Sequence, residues 1–350
     1  MSAPVLLTVS GAIPDDLQAA IAAGRRPRTD YVEMARVFDA ELLDRSGALG
    51  ATGALGRLLQ RIGANVPLAW ACFRRARRHR VVFTDGEQVG IPYAALTWLM
   101  GRRRPRHVMI GHVLSPRKKA LLHRALRLHR RVDTVVVYSS AQREYAVDAL
   151  GYRPEQVVLS TFMVDTDFWR PEHVAVEPAP RPMLCAVGQE LRDYPTLVAA
   201  VRGLELDVAI AAVSPWSKRA DTAAELDIPA NVTARGYDLF ALRELYARAA
   251  LVIVPLQETD FQAGITTILE AMSMGKAIIC TRTTGQTDTI INGETGVYVQ
   301  PGDAAGMGAA IERLLAEPGE AQRLGSNARD WVVAHADLDT YVRTLRTLVD

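Results

Sequence analysis

Residues 261–302 read FQAGITTILEAMSMGKAIICTRTTGQTDTIINGETGVYVQPG, a pattern that predicts a loop, a helix, a buried strand and a second loop. The helix is indicated by apolar residues at the spacing of one packed face, namely Ile265, Ile268, Leu269 and Met272. Gly275 predicts its end, and KAIICT (276–281) reads as the strand. Because the buried run ALVIVPL (250–256) precedes the loop, strand and helix alternate here as they do in a parallel sheet.

The loop and the helix suit a ligand that carries both phosphate and hydroxyl groups. A loop that ends in Gly264 just before a helix offers backbone N–H groups to an anion. Glu270 falls roughly opposite the apolar stripe, so its carboxylate is predicted to be free for solvent or for hydroxyl groups of a ligand. Phosphate and sugar hydroxyls together indicate a nucleotide-sugar.

Strand and helix patterns alternate along both halves of the chain. The strand patterns lie at 4–10, 80–85, 106–112, 132–140, 156–162, 183–188, 206–214 and 231–238. Residues 171–182 contain four prolines without periodicity, and they predict a linker. The prediction is an α/β fold with two doubly wound domains, residues 1–170 and 183–330, which face each other across a cleft. Such sheets bind ligands at the carboxyl ends of their strands, so the cleft is the expected site.

The formal net charge of +2 conceals a strong asymmetry. Residues 70–131 contain 16 Lys and Arg and two acids, whereas residues 132–350 contain 18 bases and 30 acids. Such a basic face predicts an anionic partner. The basic runs at 74–80, 102–107 and 116–119 contain neither stacking aromatics nor a reading helix, so an anionic membrane surface is favoured and nucleic acid is not.

The cysteines and the apolar runs indicate the compartment. Cys72, Cys185 and Cys280 lie far apart and without metal-ligand spacing, which fits a reducing environment. The N-terminus lacks a basic n-region, and no run approaches the ~20 apolar residues of a membrane span. We therefore expect a cytoplasmic protein that can attach peripherally to the inner membrane face.

Three segments carry a resemblance: LEAMSMGKAIICT with GQTDTIINGETGVYVQPGD behind it (269–303), VDTDFWRP (164–171), and NVTARGYD with LRELYARAALVIVP (231–255). They resemble the family-four glycosyltransferases of the GT-B type, which are retaining, metal-independent enzymes with two facing Rossmann-like domains. The resemblance is strong over 183–330 and weaker over 4–170. It implies transfer of a hexose from a nucleotide-diphospho-sugar, expected to be a UDP-sugar, to an acceptor hydroxyl. It also implies a C-terminal helix, 331–350, that crosses back to the first domain.

The resemblance assigns roles to the residues that bind the donor. Glu270 would hold the ribose hydroxyls, and the residue eight positions earlier would grip the hexose. That residue is Gln262, where the family has an acid; an amide can hydrogen-bond hydroxyls but brings no negative charge. The backbone N–H groups expected at the sugar-phosphate are those of Ala263, Gly264, Ile265 and Thr266.

Members of the family place an Arg and a Lys after the first strand of the second domain. Here that loop is GQELRDYP (188–195), which begins at Gly188 and has Gln189 in the usual Arg place. Arg192 is its only base and is therefore the expected phosphate contact. On the side of the first domain, the loop around Gly11 is expected to close over the diphosphate.

The acceptor side is predicted from two strand ends. Asp85 and Glu87 follow one strand, and His112 follows the next, with Lys118 in the basic run beyond it. By resemblance, His112 lines the cleft beside the transferred sugar. Because strand ends face the cleft, the two acids are expected on the acceptor side, and Lys118 is placed there with them. The triplet Asp165-Thr166-Asp167 has the form of a metal site, but turn chemistry explains it better, so neither a metal nor another cofactor is expected.

Two other functions are compatible with the same residues. One is a nucleotide-sugar epimerase on this scaffold, and the other is a catalytically silent binding subunit, which the replacement at Gln262 leaves open. The acceptor is a sugar, a lipid or a small molecule.

Overall fold

The computed structural model describes residues 4–177, 180–213 and 229–350. Pro178 and Ala179 of the predicted linker, and Ser214 at the end of a predicted strand, lie outside the described residues. Contacts divide the chain into two compact units. Unit 1 comprises Met1–Ala22, Arg28–Ser160 and Asp339–Asp350, and unit 2 comprises Ala23–Pro27 and Thr161–Leu338. The division after Ser160 falls before residue 170, because Phe168 and Trp169 pack into the core of unit 2.

Unit 1 is built on a six-stranded parallel sheet with the strand order β2-β1-β3-β4-β5-β6. The strands are β1 (Val5–Val9), β2 (Ala40–Asp44), β3 (Val81–Thr84), β4 (Arg106–Ile110), β5 (Thr134–Val137) and β6 (Val157–Leu159). The helices are α1 (Leu17–Ala22), α2 (Asp30–Phe38), α3 (Arg45–Gln60), α4 (Val66–Ala76), α5 (Glu87–Leu96), α6 (Arg117–Ala125) and α7 (Ser140–Asp148). Strands β1, β3 and β5 are buried along their whole length, as expected when helices cover both faces of a sheet.

Unit 2 repeats this architecture with the strand order β12-β11-β10-β7-β8-β9, again all parallel. Its strands are β7 (Met183–Val187), β8 (Asp207–Val213), β9 (Val232–Gly236), β10 (Leu251–Val254), β11 (Ala277–Thr281) and β12 (Val297–Val299). The helices are α8 (Tyr194–Val201), α9 (Leu239–Arg248), α10 (Ile265–Ser273), α11 (Ala304–Ala316), α12 (Pro318–His335) and α13 (Leu338–Arg346). From Asp339 onward, α13 belongs to unit 1. The predicted α/β class with two doubly wound sheets is confirmed.

Alternate residues of the unit 2 strands feed two separate cores. Cys185, Val187 and Cys280 face the core that contains α10 and α12, whereas Leu184 and Ala186 face the one that contains α8 and α11. This period of two is the geometry of a strand buried on both faces. Cys72, Cys185 and Cys280 are all buried and unpaired.

A proline lies inside helix α5 of unit 1. Pro92 suggests a helix that starts with proline in its first turn, but α5 already begins at Glu87 and contains Pro92 in its interior. Proline in that position has no N–H to donate to the carbonyl one turn earlier. The loss of this hydrogen bond is offset by burial of five side chains of the helix, among them Val89 and Tyr93.

Each sheet has one point at which the strand order reverses. In unit 1 this switch point lies between β1 and β3, and in unit 2 it lies between β7 and β10. Ligands of doubly wound sheets bind beyond the carboxyl ends of the strands at such a point. Among the described residues, no helix has both the length and the apolar character needed to cross a bilayer.

Candidate functional site

A pocket of about 970 Å³ lies at the switch point of unit 2. It is bordered by the carboxyl end of β7, the start of α9, and the loop and first turns of α10, together with Arg25 and Arg26 of the segment Ala23–Pro27. The pocket brings together the residues that the sequence assigns to the donor in this unit: Gly188, Arg192, Gln262, Ala263, Gly264, Ile265, Thr266 and Glu270.

The carboxylate of Glu270 is less solvated than its place on the helical wheel predicts. It accepts a hydrogen bond from the hydroxyl of the fully buried Tyr246, with 2.9 Å between Tyr246 Oη and Glu270 Oε2. Burial raises the pKa of Glu270 to about 8, and the hydrogen bond from Tyr246 partly opposes this rise. Burial and the nearby Glu270 also hold the pKa of Tyr246 well above its ordinary value, so the phenol remains a donor.

Arg192 is buried, with 7% of its surface exposed, and its guanidinium ties β7 to α10. Its Nε donates to Val187 O at 2.9 Å, Nη1 donates to Glu190 O at 3.0 Å, and Nη2 donates to Thr267 Oγ1 at 3.2 Å. Burial lowers the pKa of Arg192, but an arginine stays charged in proteins. Three of its five N–H groups are therefore used by the protein itself.

Gly188 makes room for this arginine. Its φ of +102° lies in the region that favours glycine, and a Cβ at this position would lie 2.5 Å from Arg192 Nη2. Any side chain here would displace the guanidinium from the wall of the pocket. The glycine is thus explained by the close approach of Arg192.

Gln262 presents an unused acceptor next to the pocket. Its Nε2 donates to Thr289 Oγ1 at 2.9 Å, whereas its Oε1 is buried and has no hydrogen-bond partner among the described residues. Such an oxygen is costly to leave unpaired, and a hydroxyl of a ligand would satisfy it.

The N-terminus of α10 opens into the same pocket. Gly264 is the N-cap residue with φ +76°, and no side chain caps this end of the helix. The first N–H groups of a helix have no partners within it, and they attract anions. Residues 264–267 therefore offer backbone donors where the sequence predicts a sugar-phosphate. The prediction is wrong for Ala263, because its N–H already donates to Phe261 O at 2.7 Å.

Unit 1 brings its predicted residues together at the switch point of its own sheet. Asp85 follows β3, and its Oδ2 accepts a hydrogen bond from Ser10 N at 3.1 Å, beside Gly11 in the exposed loop after β1. His112 Nε2 donates to Asp85 O at 2.9 Å, and His112 N donates to Glu87 Oε2 at 3.0 Å. Burial raises the pKa of Asp85 to about 7, and nearby acids add to this effect.

The lysine that approaches this group is Lys119 and not Lys118. Lys119 Nζ lies 2.6 Å from Glu87 Oε1, and it also donates to Val113 O at 3.0 Å. Glu87 is almost fully buried, whereas Lys118 is exposed on α6. Adjacent helical residues point about 100° apart, so only one of the two lysines can reach Glu87.

The Asp165-Thr166-Asp167 triplet forms a turn that is held by protein partners. Asp165 O accepts Trp169 N at 3.1 Å, Thr166 Oγ1 donates to Asp337 at 2.5 Å, and Asp167 pairs with Arg170 at 2.8 Å. In the part of the chain that the structure describes, no three His, Cys, Asp or Glu side chains are grouped closely enough to hold a metal ion.

Sequence reasoning missed Tyr246, Lys119 and the pair Arg25 and Arg26. Tyr246 precedes Glu270 by 24 residues, and only the packing of α9 against α10 joins them. The run GRRPR (24–28) resembles other basic runs of the chain, so nothing in it signals a place at the pocket. These are tertiary contacts, and the hydrophobic periodicity of a sequence does not predict which side chains meet in the folded protein.

Comparison with known proteins gives a family match for part of the chain and a fold for the whole of it. Residues 198–331 match the family model "Glycosyl transferases group 1". A glycogen synthase of Mycobacterium tuberculosis is 33% identical over 99 residues, which cover 28% of this chain and 23% of the relative. An MMP alpha-(1->4)-mannosyltransferase of Mycolicibacterium hassiacum is 28% identical over 213 residues, which cover 58% of this chain and 50% of the relative. The matches thus span about a quarter and half of the lengths of these two relatives.

Solved structures match over nearly the whole chain. Sucrose-phosphate synthase from Thermosynechococcus elongatus has a TM-score of 0.70 at 19% identity, and the match covers 99% of this chain and 98% of that one. HepE of Anabaena, solved in complex with UDP-glucose, has a TM-score of 0.71 at 14% identity, with the same two coverages. At such identities the likeness shows the fold. Residues 198–331 therefore match the glycosyltransferase group 1 model, and the whole chain has the two-domain fold of the GT-B type.

Proposed function

We propose that the protein is a retaining glycosyltransferase that moves a hexose from a UDP-sugar to an acceptor hydroxyl. The observation that carries this proposal is the convergence of Arg192, Gln262, Glu270 and the N-terminus of α10 on one pocket. The complex of HepE with UDP-glucose supports a nucleotide-sugar as the donor class. The group 1 domain over residues 198–331 supports the reaction class.

Different residues of the pocket bind different parts of the donor. Glu270 accepts hydrogen bonds from the ribose hydroxyls, and Tyr246 fixes the orientation of its carboxyl group. The open N–H groups at the start of α10 bind the sugar-phosphate, and the two uncommitted N–H groups of Arg192 add positive charge. Gln262 Oε1 accepts a hydroxyl of the hexose.

The proposed chemistry relies on stabilising the leaving group. The bond between the anomeric carbon and the diphosphate oxygen breaks, and the negative charge that develops on the diphosphate is stabilised by Arg192 and the α10 N–H groups. The acceptor hydroxyl attacks from the face that the diphosphate leaves and transfers its proton to a diphosphate oxygen. This scheme needs no metal and no protein base.

Asp85 and His112 are proposed to contact the acceptor, and the buried Glu87, bound to His112 N and Lys119, is proposed to position them. Their carboxyl and imidazole groups lie at the switch point of the unit 1 sheet, and Asp85 Oδ1 is buried without a partner among the described residues. An acceptor hydroxyl would satisfy this oxygen. His112 is oriented through both its backbone and its ring, as a residue beside the transferred sugar requires.

We propose that the acceptor is lipid-linked or lies at a membrane, because unit 1 has a surface that is both basic and apolar. This surface, residues 97–103 and 117–131, contains nine Lys and Arg and no acid. Leu99 and Leu121 on it are 73% and 70% exposed. Trp98 Nε1 donates to Leu126 O at 3.0 Å, which joins its two segments. Each base near an anionic leaflet contributes ~1 kcal/mol, and exposed leucines add apolar burial.

Co-sedimentation with vesicles tests the membrane part of the proposal. We propose that the protein is cytoplasmic and binds phosphatidylglycerol vesicles but not phosphatidylcholine vesicles, and that added salt releases it. Leu99→Ser/Leu121→Ser should weaken this binding, whereas Val333→Ser, which alters a half-exposed residue of unit 2, should not. Equal binding to both kinds of vesicle, or preferential binding to oligonucleotides, would contradict it.

Thermal-shift measurements with a panel of nucleotide-sugars test the donor. A specific donor should raise the melting temperature by linkage, and Glu270→Ala should abolish this rise. Product analysis then separates the reactions: a transferase needs an acceptor, an epimerase converts the donor alone, and a silent subunit forms no product. Loss of turnover in a folded Gln262→Ala variant would exclude the silent subunit.

A further inference from the structure

Three arginines line the pocket of unit 2, and they differ in what they can offer to a ligand. Arg192 is buried, and three of its N–H groups donate hydrogen bonds to Val187, Glu190 and Thr267. Arg25 is exposed and Arg26 is half-buried, and neither forms an ion pair with any described residue. Arg25 and Arg26 thus have guanidinium groups at the pocket that no carboxylate of the described residues neutralises.

The backbone gives these two arginines a special position. Ala23–Pro27 belongs to unit 2 by its contacts, although the chain before and after it belongs to unit 1. Gly24, at φ +65°, turns the chain just before the pair, and Pro27 follows it. The next arginine, Arg28, pairs with Asp339 within unit 1 at 3.0 Å. The segment therefore holds Arg25 and Arg26 at a pocket formed by residues more than 150 positions away in sequence.

The other polar residues of the pocket cannot supply this charge. Gln189, which lines the pocket after β7, is neutral. Asp238 is acidic and caps α9 by accepting Ala241 N at 2.9 Å. A doubly charged diphosphate in this pocket needs cations that are free to turn toward it, and planar guanidinium groups bind phosphate oxygens in pairs.

We propose that Arg25 and Arg26 bind the diphosphate of the nucleotide donor. This inference rests on the proposed function. It assigns phosphate binding to the segment Ala23–Pro27, in addition to the loop after β7, which supplies only Arg192. Arg192 then acts from the wall of the pocket, and the pair closes over the phosphates from the segment Ala23–Pro27.

Calorimetric titration of the full chain with UDP and with uridine tests the pair. Arg25→Gln/Arg26→Gln should weaken UDP binding at least about tenfold, since each lost hydrogen bond is made to a charged group. Uridine, which has no phosphate, should bind the variant and the wild type alike. Arg57→Gln/Arg61→Gln is the matched control, because it removes the same charge from exposed positions that do not line the pocket. This control should leave UDP binding within about twofold.

The outcomes separate the inference from the function on which it rests. If the wild type binds UDP and Arg25→Gln/Arg26→Gln binds it equally well, the inference is overturned and the proposed function stands. An equal loss of UDP and uridine, with an unchanged melting temperature, would also overturn it, because the pair would then contact the nucleoside. If the wild type binds neither UDP nor any other nucleoside diphosphate, the proposed function itself fails.

Discussion

The hydroxyl of Tyr246 lies 2.9 Å from Glu270 Oε2, so a buried phenol on α9 orients a carboxyl group on α10. The phenol donates, which favours the ionised carboxylate, while burial favours the neutral acid. The balance leaves the pKa of Glu270 at about 8, within reach of ordinary buffers. The ionisation of Glu270 can therefore be followed through ligand binding and through stability.

Replacing Tyr246 by Phe should shift the pH dependence of nucleotide binding. Ribose hydroxyls bind more strongly to a carboxylate than to a neutral acid, so UDP affinity should rise as the pH passes about 8. Without the phenol donor, the pKa of Glu270 should rise, and the increase in affinity should move to higher pH. Calorimetry between pH 6 and about 9.5 would measure this. Tyr298→Phe is the control, because Tyr298 does not line the pocket; a shift of equal size in that variant would refute the assignment.

Replacing Glu270 by Gln should change how stability depends on pH. Between the ordinary value of 4.5 and about 8, the unfolded chain loses the proton of Glu270 while the folded protein keeps it. The free energy of unfolding contributed by this residue therefore falls as the pH rises through that window. Relative to Glu270→Gln, the wild type should lose stability from pH 5 to about 8 in urea unfolding. Parallel pH profiles for the two proteins would rule out a raised pKa.

Replacing Lys119 by Met should destabilise unit 1, whereas Lys118→Met should have little effect. Lys119→Met leaves the buried Glu87 carboxylate without its cation, a change that costs about 3 kcal/mol in buried pairs. Lys118 is exposed, and its replacement should change the free energy of unfolding by less than about 0.5 kcal/mol.

The double variant Glu87→Gln/Lys119→Met provides the check on this mechanism. It removes the buried charge together with its partner, so it should recover much of the stability that Lys119→Met loses. Chemical unfolding of all three variants would measure the differences. A double variant as unstable as the sum of its single changes would show that Lys119 acts through packing and not through the ion pair.

Replacing Gly325 by Ala should destabilise unit 2 at the crossing of α12 over the turn that follows α10. A Cβ at Gly325 would lie within the van der Waals radius of Gly275 O and only 3.2 Å from Ala277 N, both of them backbone atoms. We expect a loss of about 1–3 kcal/mol in spite of the better helix propensity of alanine. Gly319→Ala on the same helix meets nothing within 4 Å and should be neutral or stabilising. Melting temperatures that are lower than that of the wild type for both variants, or higher for both, would contradict this.

The fold was predictable where strands are buried on both faces. Runs such as ALVIVPL and KAIICT form β10 and β11, because a short continuous apolar run between turn signals is typical of a strand buried on both faces. The strand β2 was missed, since AELLD lies at the edge of its sheet and only Leu43 is buried. Its half-polar pattern is what an edge position permits, and it does not stand out in the sequence.

The candidate site was predictable in part. The loop and first turns of α10 gave Gln262, Glu270 and the backbone donors, all of which line one pocket. The partners of these residues were not predictable, because the contact of Tyr246 with Glu270 depends on how two helices pack. Lys118 and Lys119 could not be separated either, since the phase of α6 is set by burial of residues such as Ala120 and His123.

Unit 1 contains residues from both ends of the described chain, and this limits how chimeric proteins can be built from it. Tyr341 Oη lies 2.6 Å from Tyr138 Oη, and Arg346 Nη1 donates to Val37 O at 2.6 Å, so the last twelve residues complete unit 1. A chimera made by exchanging everything after Ser160 would give unit 1 a foreign tail. Chimeras with relatives will therefore need two crossovers, one after Ser160 and one before Asp339, to keep Tyr341 as the hydrogen-bond partner of Tyr138.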